Sequence, residues 1–146
     1  MKYILASLFF LISIQTMASN KIFARNSVAI SGYDTVAFFM EEKAIKGNSQ
    51  FQTEWQGVNW FFSSQKNLEF FNESPEKYAP QFGGYCALGA AHFGAVPTNP
   101  KAFSIHEGKL YFNMTDEVRI TWRLNSDFHI KRAEKAWKEN KITFYN

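Results

Sequence analysis

A second cysteine is missing from this chain, and its absence excludes a good deal. With Cys86 alone no internal disulfide can form, and residues 86–89 read Cys-Ala-Leu-Gly, so the Cys-x-x-Cys pair used for thiol–disulfide exchange is absent. No glycine-rich phosphate loop and no dinucleotide fingerprint occurs. Histidine is scarce, three in 146 residues, and His92, His106 and His129 stand far apart in sequence. No apolar run reaches the ~20 residues that span a bilayer as a helix. Charge of one sign is also lacking: the formal net charge is +3. The basic residues are scattered except Lys131-Arg132, Lys135 and Lys138, which read as the solvated face of one helix rather than a nucleic-acid patch.

Aromatic residues, by contrast, are abundant. At 18% aromatic and 46% hydrophobic against 20% charged, a chain of this length can bury one dense core without covalent staples, which predicts a single domain. Its first residues predict export. Lys2 precedes an apolar stretch from Tyr3 to Ile14, and Thr16-Met17-Ala18 places small residues where a signal peptidase reads. Residues 1–18 are expected to be a signal peptide cleaved after Ala18, with Ser19 the next candidate, and no cysteine follows for lipid attachment. A periplasmic or secreted protein with no stable membrane span is the consequence.

Residues 19–27 are polar and carry no motif, which predicts an N-terminal arm before a domain at 28–146. Val28-Ala29-Ile30, a turn at Ser31–Asp34 and Val36-Ala37-Phe38-Phe39 are expected to form an extended segment leading into a first strand. Phe51–Trp55 and Val58–Phe62, parted by Gln56-Gly57, predict a hairpin. Ser63 or Ser64 then caps a helix that turns Leu68, Phe70 and Phe71 inward, and Ser74-Pro75-Glu76 opens another that Tyr78 seals. The glycine-bracketed segment 83–94 predicts a closely packed helix, and 97–100 a loop. A second hairpin follows at Phe103–His106 and Lys109–Asn113. Next, Thr115 starts a helix anchored by Ile120, Trp122 and Leu124. Ser126 or Asp127 caps a last one with Ile130, Ala133 and Trp137 at helical spacing. The expected fold class is α+β: a small antiparallel sheet of short hairpins against several short helices.

Several blocks in order carry a resemblance. They are Ser31-Gly32-Tyr33-Asp34-Thr35-Val36-Ala37-Phe38-Phe39, Lys43-Ala44-Ile45-Lys46-Gly47, Trp60-Phe61-Phe62-Ser63-Ser64, Pro75-Glu76-Lys77-Tyr78-Ala79-Pro80-Gln81 and Gly83-Gly84-Tyr85-Cys86-Ala87. With Glu107-Gly108-Lys109-Leu110-Tyr111 and Trp137, this pattern resembles exported YHS-domain proteins. The resemblance implies a small module of the kind found beside heavy-metal systems, which binds metal through cysteines, with copper or zinc the candidate cofactors. The positions of those cysteines resemble Ala37, Ser63 and Asn67 here. None offers the charged, polarisable sulfur that a soft ion such as Cu(I) requires.

Any replacement site must therefore use other residues. The candidates for ligand binding are Tyr33, Asp34, Tyr85, Cys86 and His92, of which Cys86 and His92 are the candidate metal ligands. Six residues apart, these two would not share one face of a continuous helix. A cysteine among Gly, Ala and Leu also reads as a small buried hydrophobe. For His129 a capping or packing role is expected, and for His106 exposure to solvent. No third group completes a thiol-hydrolase arrangement around Cys86. The leading expectation is a non-catalytic binding module for a heavy metal or a small molecule. The alternatives are a periplasmic protein-interaction module without metal and a Cys86-dependent thiol enzyme.

Overall fold

Three two-residue turns lay out the strands of the computed structural model, which describes residues 21–145; the expected signal peptide lies outside the described residues. Asn26 and Ser27 join β1 (Ala24–Arg25) to β2 (Val28–Ala29), Gln56 and Gly57 join β3 (Asn48–Trp55) to β4 (Val58–Phe62), and Glu107 and Gly108 join β5 (Asn99–His106) to β6 (Lys109–Asn113). All six turn residues lie at positive φ, between 48° and 75°, which is the twist that tight hairpins demand. The first sheet runs β1-β2-β4-β3, with β2 parallel to β4 through Val28 and Asn59; β5 and β6 form a second, two-stranded sheet. Antiparallel pairing of β3 and β4 sets Thr53 opposite Trp60 and Trp55 opposite Val58. Val58, Trp60 and Phe62 alternate into the core, as period-two patterning requires.

The helices are short. They are α1 (Ala37–Met40), α2 (Gln65–Glu73), α3 (Pro75–Tyr78), α4 (Ala87–His92), α5 (Asp116–Arg123) and α6 (Ser126–Lys138). Ser64 caps α2 by accepting from Asn67 N at 3.2 Å, and Thr115 caps α5 by accepting from Val118 N at 3.3 Å. The main core gathers β2, α1, β4, α2 and β6 around Phe38, Trp60, Phe62, Phe71 and Phe112. A second cluster joins α4, α5 and α6 to β6 through Ala87, Ala90, Tyr111, Trp122 and Ala133.

Two glycines in the small-residue segment explain its close packing. Gly83, at φ +63°, lies so near the Lys21 carbonyl that a Cβ would overlap it, and a Cβ on Gly89 would come within 2.6 Å of Val96 Cγ2. Ala95 then receives the C-terminal tail, its N–H donating to Thr143 O at 2.8 Å and its carbonyl accepting from Tyr145 N at 2.9 Å.

Several expectations need correcting. Residues 36–39 enter a helix, not a strand: the Asp34 side chain accepts from Val36 N and Ala37 N at 2.9 and 3.1 Å and so satisfies the first free amides of α1. Of residues 19–27, the described part is no loose arm. Ile22 and Phe23 are buried, and β1 pairs with β2. Asn99 and Pro100 belong to β5 rather than a loop. In α5 only Trp122 is an anchor, because Ile120 and Leu124 are 58% and 81% exposed. Two residues from Trp122 on either side is about 200° around the helix. Finally, the cap position of α6 is Asn125, without a side-chain bond, while Ser126 Oγ turns back to Trp122 O at 3.4 Å.

Candidate functional site

Asp34 is fully buried, and its carboxylate is the most heavily bonded side chain among the described residues. Oδ1 takes the two amides at the start of α1. Oδ2 accepts from Ser63 N at 2.8 Å, Ser63 Oγ at 2.7 Å and Asn67 Nδ2 at 2.7 Å. Ala37, Ser63 and Asn67, the three positions to which the resemblance assigns cysteines, thus converge on one carboxylate. Whether a soft metal fits there is a question of donors. Five hydrogen bonds exceed the roughly four lone-pair directions of a carboxylate, leaving none directed at an ion. A methyl, a hydroxyl and an amide supply no thiolate. The metal implied by the resemblance does not fit.

The remaining sequence candidates are dispersed. Tyr33 is half-buried, with Lys46 Nζ 4.3 Å above its ring. Tyr85 packs edge-on against Phe23 and Phe144, 5.5 and 5.4 Å away, and burial pushes its hydroxyl pKa up. Cys86 occupies the cap position of α4, 1% exposed. Its Sγ accepts from Gly89 N at 3.5 Å and donates to Asn113 Oδ1 at 3.7 Å. Burial raises the Cys86 pKa, against the smaller opposite pull of the Gly89, Met114 and Leu88 amides.

His92 sits at the other end of α4, about 9 Å along the axis by helical rise, so the structure does not bring it to Cys86. It bonds instead to His129, Nε2 to Nδ1 at 3.0 Å. Desolvation first, and then the Arg132 guanidinium, lower the pKa of His92; desolvation, His92 and Arg132 lower that of His129.

A feature not found by sequence reasoning is a cleft of about 560 Å³ between β5, α1 and α5. Phe39, Phe103 and Ile105 line it beside Glu42, Arg119 and Arg123, and the fully buried Phe38 and Trp122 lie behind that surface. Phe38 and Phe103 are held together, 4.7 Å between ring centroids, so that surface is rigidly placed. Three lining residues carry buried polar atoms without a hydrogen-bond partner, Ser104 Oγ, Arg119 Nε and Trp122 Nε1. At the rim, His106 Nε2 lies 2.9 Å from Asp127 Oδ1. With Glu107 these form a group whose ligand-type atoms lie within 4.8 Å of one another. The sequence signal was available in part: Ser104 occupies an inward position of β5, beside Ala102, where alternation calls for an apolar residue.

Among the described residues, no helix is long and apolar enough to cross a membrane. The family model of the YHS domain matches residues 36–82, which run from the start of α1 through α3 and include Ala37, Ser63 and Asn67. No curated protein and no solved structure matches.

Proposed function

Because this chain contains a YHS domain, we propose that it serves as an exported, non-catalytic binding module whose ligand is a small molecule held in the cleft between β5, α1 and α5. The observation that carries this reading is the cleft itself. Its volume, about 560 Å³, falls within the roughly 300–1,000 Å³ of small-molecule sites, and its lining sets a few apolar side chains beside several polar and charged ones. Export is supported by the charged, apolar and small-residue order of residues 2–18. A non-catalytic role is supported by the burial of Cys86, whose hydrogen-bonding neighbours include no general base.

The test is a set of amide correlation spectra of the mature chain titrated with a panel of small acids, amines, amides and apolar compounds. Shifts confined to residues 103–106 and 119–123 are expected. A panel that moves none of these at millimolar concentration removes the reading. A second reading is a borderline ion such as Zn(II) at His106, Glu107 and Asp127, favoured by their clustering. Zinc titration of the wild type against Asp127→Ala separates the two: a metal site loses affinity in the variant, whereas an adventitious surface ion does not.

A further inference from the structure

We infer that the cleft takes an organic anion, a carboxylate on an aromatic or aliphatic body. This rests on the reading of the cleft as the binding site and adds to it the chemical class of the ligand.

Three side chains lining the cleft, Arg119, Trp122 and Arg123, can only donate, against one, Glu42, that only accepts. The indole N–H of Trp122 can only donate, and it is buried with no protein acceptor. Arg119 is only partly engaged. Its Nε lies 3.0 Å from Asp116 Oδ1, yet that N–H lacks an aligned acceptor, and Nη1 reaches Phe103 O only at 3.4 Å. Arg123, one helical turn further along α5, forms none of the side-chain hydrogen bonds or ion pairs among the described residues. The Ser104 hydroxyl, also without a partner, can serve an acceptor equally well.

Donors left without acceptors are costly to bury, so the ligand that relieves them is rich in acceptors. Charge points the same way. Two guanidinium groups line the cleft against one lining carboxylate, Glu42; Asp116 is turned to Arg119 and Asp127 to His106. A cationic ligand would meet Arg123 unfavourably. A planar carboxylate matches the fork of a guanidinium with two parallel hydrogen bonds. Meanwhile Phe39, Phe103 and Ile105 offer apolar contact to the rest of the molecule.

Phenylacetate and its uncharged counterpart phenylacetamide distinguish the contributions. In amide and indole N–H correlation spectra of the mature chain, phenylacetate should move the Trp122 indole resonance, assigned with Trp122→Phe, together with residues 103–106. It should bind about tenfold or more tightly than the amide, the worth of a charge-assisted hydrogen bond. Arg123→Gln, at an exposed position with no partner to lose, should keep the rest of the spectrum unchanged and erase most of that preference; Arg119→Gln is the companion variant.

Equal affinity for the two probes, or a preference that survives both arginine variants, overturns the anion inference and leaves the binding site standing. Silence of the cleft toward both probes at millimolar concentration also overturns it. The binding-site reading falls only if the wider panel is silent as well.

Discussion

Asp34 shows how one side chain can organise two distant segments. It joins the start of α1 to the β4–α2 junction, 29 to 33 residues away. Asp34→Asn would turn an amide group toward donors that need an acceptor. A loss of about 3 kcal/mol or more is expected in chemical denaturation, since hydrogen bonds to a charged group contribute roughly 1.5–3 kcal/mol each. For Cys86, a buried thiol with its pKa pushed up predicts slow modification by a thiol reagent in the folded state, accelerating to the free-cysteine rate in denaturant. Rapid labelling under native conditions would contradict the packing described. His92 and His129 make a third residue-scale prediction. Their pKa values are lowered from 6.5 in the folded protein, so below about pH 6.5 the unfolded chain binds protons that the folded one does not. Stability is therefore full above that pH and is lost as pH falls through the lowered values. Melting temperatures between pH 7.5 and 5 should show this slope, and His129→Gln should flatten it. Sequence alone makes Asp34 notable as an acid beside Tyr33, but its role depends on donors from Ser63 and Asn67, and a one-dimensional reading gives no distance to them.

At the scale of elements, the hairpins at Gln56-Gly57 and Glu107-Gly108 are legible because glycine at the second turn position allows the positive φ that closes them. The Asn26-Ser27 turn has the same geometry without glycine, and so β1 goes unseen and Val28-Ala29 reads only as extended chain. The α1 run, Val36 to Phe39, is too short for periodicity to separate helix from strand; a capping carboxylate two residues upstream decides it. Within α5 the one-sided burial leads to opposite outcomes for neighbouring residues. Trp122→Ala should cost about 3–5 kcal/mol through loss of packing against Tyr111 and His106. Leu124→Lys should change stability by no more than about 0.5 kcal/mol. Denaturant titration of the two variants checks both, and comparable losses would mean that α5 is rotated relative to the core described. The cleft escapes the sequence for a related reason: it is the space left where α1, β5 and α5 meet, and its lining residues lie up to 88 positions apart, from Phe38 to Ser126.

For the molecule as a whole, the α+β architecture follows from strands and helices that are each too short to be stable alone. The aromatic core must therefore bring them together cooperatively, and a single unfolding transition is expected when fluorescence and circular dichroism are followed through the same melt. The segment 21–27 takes part in that core, with Phe23 N donating to Gly83 O at 2.8 Å, so a chain begun at residue 28 should melt well below one begun at residue 19. The five-donor arrangement around Asp34 also bears on how the protein matures. A domain clasped by thiolates has to wait for an ion and is undone by a chelator or an oxidant. This one is clasped by a carboxylate, a hydroxyl, an amide and the chain itself, so it can reach its final form without a bound ion and whatever the redox state around it, and its melting curve should be the same with and without EDTA.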